Sequence, residues 1–579
     1  MLLANNNQGD FTSHLYLKVM EVTVRCWAVC CVLAVLGTCV ESEIFPTPET
    51  RESDTSYWME HGERELQEAL SRPQYTTKAK NVILFLGDGM GVTVNTAGRI
   101  MKGQKEGKSG EEGYLVWDRF PNIALLKTYN LDRQVPDSAG TATAFLAGVK
   151  ANYYTVGVNG NVKINDCAAS LKNTNQVDTI LKWAQDAGKA TGVVTTTQIT
   201  HATPAALYAK SPQRYWQCDT KIMEAGPEAL HCKDIARQLV EDEPGRNMKV
   251  IMGGGRQEMG AREDNSAKEK CVRSDGRNLV EKWKMDKEAY GATNAYASTT
   301  GQLREIDPTN TDFIMGLFDD LHMPYEVDRD TSLNGTPSIE EMTKVALQRL
   351  KQEEKGFFLL VEGGRIDHGM HYTQPKRSLE ELVAMEKAVL ATLNQVNLTE
   401  TLVLVTADHS HVMTINGYPD RGNNIFGTVI NEYDVSDHMP YTTLMFTNGP
   451  GFNYTWNGSE VIRRNLSEVD TTHKDFEPLA AVPTYSGSET HGGEDVAVFA
   501  QGPMAHLFHR VHEQSYVAHV MAYAACIGPY SKNCQYHIED PTNYYNHVKN
   551  QRGRHGDGSG ASGAMANFVL VVFTLLLCF

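Results

Sequence analysis

The chain has 579 residues, 41% hydrophobic and 22% charged, a composition that supports a large folded core rather than a disordered chain. Its formal net charge of −17 argues against a nucleic-acid partner, because proteins that track phosphate backbones carry basic surfaces. The length permits several domains or a single large α/β domain with insertions.

The first segment reads as a targeting signal. Lys18 and Arg25 precede the apolar run Trp27 to Val40, which a polar Glu-Ser-Glu follows at once. This is the pattern of a signal peptide, residues 1–40, cleaved near Gly37 to Val40, with Met20 as an alternative start. The body then runs over residues 41–545. Apolar strand-type runs occur at 81–89, 189–197, 248–255, 356–364, 401–409 and 494–502. Such continuous runs mark strands covered on both faces. Helical patterns alternate with them. One opens at Ser338 with Glu341 in capping-box spacing, and a second has the same spacing at Ser378 and Glu381. The expected fold is a three-layer α/β/α sandwich around a large, mostly parallel sheet.

Residues 417–487 are rich in Gly, Asn, Pro, Thr and Tyr and read as a surface insertion. Residues 546–558 form a polar stalk. The chain closes on an apolar run from Phe568 to Phe579, preceded by small residues. That pattern fits a glycosylphosphatidylinositol signal (559–579, removed) attached near Asp557, Gly558 or Ser559. The alternative is a tail anchor, for which ~12 apolar residues are short of the ~20 needed to span. Both ends place the protein in the secretory pathway and on the outer leaflet of the plasma membrane. Five sequons agree: Asn334, Asn397, Asn453, Asn457 and Asn465. Five of the eleven cysteines lie in the two end segments. The remaining Cys167, Cys218, Cys232, Cys271, Cys526 and Cys534 are an even set suited to disulfides. Cys526 and Cys534 are close enough in sequence to pair.

Three apolar runs finish in acid, at Asp88, Glu362 and Asp408. Ligands of open α/β sheets bind at the carboxyl ends of strands. Carboxylates converging there repel one another unless a cation neutralises them. Histidines accompany them: His409 and His411 after Asp408, then Asp367, His368 and His371 after Glu362, and His491 before the last strand. Imidazole with carboxylate suits zinc, and carboxylate with hydroxyl suits magnesium. So many donors imply several ions, which together stabilise attacking and leaving oxygens in phosphoryl transfer. His322 and His537 lie outside these clusters and read as surface or packing residues. In VPDSAGTATAFLAG, Pro136 and Asp137 make a turn and Ser138 opens a helix of small residues. A helix N-terminus offers N–H groups to an anion, and a metal-bound serine is an activated nucleophile. A guanidinium would bind phosphate bidentately, and Arg214 is one candidate among the chain's arginines.

At this point the motifs resemble those of the alkaline phosphatases. NVILFLGDGMG, VPDSAGTAT, TTTQITHATPA, VEGGRIDHGMH, TADHSH and ETHGGEDVAVFA stand in the family's order over roughly residues 50–545. With His201 and both end signals, the chain is similar to the animal membrane-anchored members. The resemblance implies hydrolysis of small phosphate monoesters through a phosphoserine at Ser138, assisted by two zinc ions and one magnesium. One zinc would take Asp367, His371 and His491. The other would take Asp88, Asp408 and His409, and magnesium Asp88, Thr203 and Glu362. Arg214, oriented by Asp137, would clamp phosphate, while His201, His368 and His411 would support the site. The resemblance also implies a homodimer, with 417–487 as a crown domain and Tyr418 reaching the neighbouring subunit's site. It implies Cys167–Cys232 and Cys526–Cys534 disulfides, leaving Cys218 and Cys271 for each other. A structural calcium would use Phe318 and Asp319. Here, however, Asn334 stands where the family has an aspartate, and Glu263 and Glu269 are the nearby candidates for a further ligand. Two other readings compete: a related sulfatase or phosphodiesterase, and an inactive surface protein that only binds.

Overall fold

The computed structural model describes residues 51–263, 271–429, 435–532 and Cys534. The signal-peptide, stalk and anchor segments, Asp557 to Ser559, Glu269 and His537 lie outside them. Two compact units divide the chain, Met1–Pro73 and Gln74–Phe579. In the first, helix α1 (Thr55–Ser71) starts where the Asp54 side chain accepts a hydrogen bond from the Ser56 amide. Among the described residues, no helix is long and apolar enough to cross a membrane.

The second unit is built on one ten-stranded sheet. Its strands, in chain order, are β1 (Asn81–Gly87), β2 (Asn122–Lys127), β3 (Ala190–Gln198), β4 (Val250–Gly254), β5 (Asn294–Ala297), β6 (Phe313–Leu317), β7 (Phe357–Gly363), β8 (Thr401–Ala407), β9 (Val496–Gln501) and β10 (Val511–Glu513). The spatial order is β10-β2-β9-β8-β1-β7-β3-β4-β6-β5. All six runs expected as strands belong to it. Of the other four, β2, β5 and β10 are only partly buried and lack a continuous apolar signature, whereas β6 is apolar and mostly buried yet is not among the expected runs. Pairing is parallel except for β9, which runs antiparallel to both β8 and β2. Every residue of β1, β3, β7 and β8 is buried, as expected for strands covered on both faces.

Helices cover the two faces. On one side lie α2 (Val92–Lys105) and, later in the chain, α5 (Ile339–Leu350) and α7 (Pro375–Leu393). On the other lie α3 (Ser138–Ala147), α4 (Ala202–Tyr208) and α8 (Tyr516–Ala525), while the short α6 (Arg365–His371) follows β7. Helix α5 starts with the expected capping box between Ser338 and Glu341. Helix α7 differs from expectation. It begins at Pro375, whose fixed φ suits the first helical position, so Ser378 and Glu381 lie inside it. Ser378 Oγ instead donates to the Ile366 carbonyl, and buried Glu381 accepts the Glu326 amide.

All three disulfides form: Cys167–Cys232, Cys218–Cys271 and Cys526–Cys534. Segment 417–487 carries short strands outside the main sheet. Leu444–Asn448 joins Met413–Ile415 and Ala480–Val482, and two ribbons pair Thr428–Val429 with Tyr441–Thr442 and Tyr454–Trp456 with Val461–Arg463. All five sequon asparagines are exposed.

Candidate active site

The site grows out of the sheet's centre. Strand β1 is flanked by β8 and β7, and in register Gly87 faces Ala407 on one side and Gly363 on the other. Asp88 and Asp408, each the next residue of its strand, therefore leave the sheet side by side. Glu362 sits one position lower, opposite Thr195 of β3. The turn after β1 needs Gly89: its φ is +74°, and a Cβ there would lie 2.5 Å from the His411 ring. Only glycine accepts both conditions without strain.

Three groups of donors converge there. In the first, His371 Nε2 and His491 Nε2 are 3.0 Å apart, and each is 3.4 Å from Asp367 Oδ1. His371 Nδ1 donates to the Glu489 carbonyl at 2.6 Å and His491 Nδ1 to that of Pro136 at 2.8 Å. Both Nε2 atoms are therefore unprotonated lone pairs facing each other and a carboxylate, the arrangement of metal-ligating histidines. For tetrahedral zinc with Zn–N near 2.0–2.1 Å, two ligating nitrogens stand about 3.3 Å apart. In the second group, His409 Nε2 is 3.1 Å from Asp408 Oδ2 and 3.6 Å from Asp88 Oδ1. Its Nδ1 is turned to the Ser410 carbonyl, again leaving Nε2 as the donor atom. In the third, ligand atoms of Asp88, His201 and Glu362 lie within 4.8 Å of one another, with Thr203 at the start of α4 beside them.

The electrostatics favour bound cations. Burial, then Asp408, Asp367 and Glu362, push the Asp88 carboxyl well above its usual value. Burial raises Glu362 to about 7 and also raises Asp408. Burial lowers His371 to about 4 and depresses His409 well below 6.5, so both rings are neutral. Both Asp88 oxygens, Glu362 Oε1 and Thr203 Oγ1 are buried without a hydrogen-bond partner. Orphaned oxygens converging in a dry pocket are costly unless a positive charge fills it. This donor set fits zinc at the histidine-rich positions and magnesium at the third, where the carboxylates of Asp88 and Glu362 and the Thr203 hydroxyl supply oxygens.

Ser138 is the first residue of α3 and is buried to 1% exposure. Its Oγ lies 3.1 Å from His409 Nε2, at the edge of the second group. Asp137 caps the helix, its side chain accepting the Ala139 and Gly140 amides. The same carboxylate accepts Arg214 Nη1 at 3.1 Å, and Arg214 Nη2 donates to His201 Nε2 at 3.1 Å. Nucleophile helix and guanidinium are thus fixed by one side chain.

Other residues support these groups. His411 donates from Nδ1 to Glu489 Oε2 at 2.6 Å and from Nε2 to Asp367 Oδ1 at 2.8 Å. Although burial opposes it, the two carboxylates raise its pKa to about 10, and both of its ring nitrogens face those carboxylates. His368 lies beside His201, with ring centroids 5.4 Å apart. His322, expected as a surface or packing residue, instead stands at this edge of the site, 5.2 Å from His201 and 4.4 Å from His368. A loop after β6 carries it there, which no local pattern reveals. Sequence reasoning also passed over Glu489, although it lies in the quoted ETHGGED motif. It likewise passed over Thr195 and Thr197, whose hydroxyls donate to Glu362 Oε2.

Tyr418 is 82% exposed. Phe318 is buried, and the Asp319 carboxylate accepts the Leu321 amide. Among the described residues Asp319 joins no metal-competent cluster, and Glu263 instead pairs with Arg256 at 2.7 Å.

A family model described as alkaline phosphatase matches residues 79–527. The chain is 48% identical over 508 residues to the tissue-nonspecific alkaline phosphatase isozyme of Homo sapiens, covering 86% of this chain and 93% of that one. It is 42% identical to a membrane-bound alkaline phosphatase of Bombyx mori, covering 83% and 87%. Alkaline phosphatase structures from the Antarctic bacterium TAB5 and from Thermus thermophilus share the fold at TM-scores of 0.53 and 0.54. Each is 21% identical over 78% of this chain, covering 99% and 93% of the bacterial chains. With metal-competent clusters at the centre of this fold and matches of this extent, the chain belongs to the alkaline phosphatase family.

Proposed function

We propose that this chain hydrolyses phosphate monoesters through a phosphoserine on Ser138. The observation that carries the reading is Ser138 Oγ, held at a helix N-terminus 3.1 Å from His409 Nε2, among three donor groups and next to Arg214. Asp367, His371 and His491 would hold one zinc ion, Asp88, Asp408 and His409 the other, and Asp88, Thr203 and Glu362 a magnesium ion. When bound, these ions supply positive charge and Lewis acidity, withdrawing charge from attacking and leaving oxygens. Ser138 Oγ attacks phosphorus and the alcohol leaves. Arg214, braced by Asp137, binds the non-bridging oxygens, which carry most of the charge in the transition state. Water then splits the phosphoserine and releases phosphate. His411 holds Asp367 in place from behind.

The wider assembly belongs to the same reading. Exposed Tyr418 and the 417–487 segment suit a crown that meets a second copy in a homodimer. The terminal segments suit a lipid-anchored protein at the cell surface, a placement in keeping with the membrane-bound relative's printed name. The test is direct. With zinc and magnesium supplied, the enzyme releases p-nitrophenol from p-nitrophenyl phosphate and takes radiolabel from labelled phosphate. Ser138→Ala abolishes the label; a variant that still forms phosphoserine refutes the assignment.

A further inference from the structure

Beside Arg214 the site carries three tyrosines that the reaction does not use. The Tyr153 and Tyr154 rings stack with centroids 3.9 Å apart and planes inclined by 24°. Tyr215 meets Tyr154 edge-on at 5.4 Å. The Arg214 guanidinium carbon lies 5.8 Å from the Tyr154 ring and 5.7 Å from the Tyr215 ring. Tyr215 is 50% exposed, and Tyr153 and Tyr154 are half-buried, so the trio forms the rim of the phosphate pocket on that side.

Two further facts tie the rings to the site. The Tyr154 amide donates to Asp137 Oδ1 at 2.8 Å, and its carbonyl accepts the Arg214 amide at 2.9 Å. The backbone bearing the shelf is therefore bonded both to the cap of the nucleophile helix and to the phosphate ligand. Tyr154 also has φ +65°, a conformation that glycine adopts without strain and tyrosine does not. A bulky ring kept at a strained position next to a functional site indicates that the ring itself is wanted.

We propose that Tyr153, Tyr154 and Tyr215 form an aromatic shelf that receives flat aromatic or heteroaromatic alcohol groups of phosphate monoesters, and so set the preference among substrates. The proposal rests on the phosphomonoesterase reading above and refines it. With phosphate on Arg214 and Ser138, an organic group that extends beyond Arg214 meets these rings. Aromatic rings pair edge-to-face or offset with ring centroids about 4.5–7 Å apart, and tyrosine supplies such a surface at low entropic cost. Burial raises all three phenols above their usual value of 10.0, so in mildly alkaline solution they stay neutral and do not repel the phosphate dianion.

The test compares benzyl phosphate with cyclohexylmethyl phosphate, two primary-alcohol esters of similar size that differ in the aromatic ring. The wild-type holoenzyme favours the benzyl ester in kcat/KM by roughly 2- to 12-fold, the range of an aromatic pair beyond simple burial. In Tyr153→Ser/Tyr154→Gly/Tyr215→Ser the ratio falls towards 1, and the single variant Tyr215→Ser lowers it part of the way. Tyr215→Phe keeps it, because the ring and not the hydroxyl is the contact. A wild-type ratio near 1, or a ratio that survives in the triple and single serine variants, overturns the shelf. Hydrolysis of neither ester by the wild type overturns the phosphatase reading itself.

Discussion

Asp137 is the most heavily used side chain around the nucleophile, and its removal separates two roles. Oδ1 accepts Asn130 Nδ2 at 2.9 Å, the Gly140 amide at 3.3 Å and the Tyr154 amide at 2.8 Å; Oδ2 accepts the Ala139 amide at 3.0 Å and Arg214 Nη1 at 3.1 Å. Asp137→Ala removes a helix cap, a loss of about 1 kcal/mol, and strands a buried arginine, a loss of about 3–5 kcal/mol. The sum, about 4–6 kcal/mol, approaches the whole stability of many domains, and that variant expresses poorly or unfolds early. Asp137→Asn is the informative change. It keeps the shape and the three donors on Oδ1, but sets an amide N–H₂ against the Ala139 and Arg214 donors. Losing a charge-assisted bond and adding a donor clash costs about 2–3 kcal/mol, expressed mainly as a loosened Arg214. At 1.4 kcal/mol per tenfold, the inhibition constant for inorganic phosphate rises at least about tenfold. Steady-state kinetics on p-nitrophenyl phosphate with phosphate as competitor, beside a denaturant midpoint, measure both effects. A fully folded Asn variant with phosphate affinity within twofold of the wild type refutes the claim that Asp137 positions Arg214.

Three more outcomes are expected. Removing metals with a chelator abolishes activity and lowers the thermal midpoint, because ligands that bind only the folded state stabilise it; metal analysis after reconstitution gives zinc and magnesium in a two-to-one ratio, and a chelated protein with an unchanged midpoint contradicts the fit. Gly89→Ala drives a Cβ to 2.5 Å from the His411 ring and displaces that ring from Asp367, lowering kcat/KM more than tenfold and weakening zinc retention; normal zinc content would contradict it. Lys210 is partly buried with its Nζ donating to the Val177 carbonyl, and desolvation lowers its pKa from 10.5 to about 8. The folded state thus carries a desolvation cost that is fully present below pH 8 and disappears as pH rises towards 10.5. Lys210→Met therefore gains on the wild type most at pH 7, by up to about 3 kcal/mol before the lost hydrogen bond is subtracted, and least at pH 10.5; a stability difference independent of pH would refute the burial argument.

Much of this protein can be read from local sequence, and the reason is physical. Buried strands need unbroken apolar runs, so six of the ten strands declared themselves, and the ends of three of those runs marked where carboxylates gather. The sequence also supplied the surplus of imidazole and carboxylate donors that suggested more than one ion, and the family motifs, rather than any local pattern, pointed to Ser138 and Arg214 among many serines and arginines. Other features are properties of contact and not of spacing. Strands β2, β5 and β10 are too short or too one-sided to leave a period. Pro375, by starting α7 four residues early, turned an apparent capping serine into an interior hydrogen-bond donor. His322 and Glu489 reach the site from distant segments, and only folding shows that one closes on His201 and the other fixes His411 and His371. The tertiary structure alone decided which ring nitrogen each histidine offers, because that choice is set by the carbonyl or carboxylate bonded to the other nitrogen. It alone placed three tyrosines around Arg214, since residues 153, 154 and 215 meet only when two separate loops are brought to one rim.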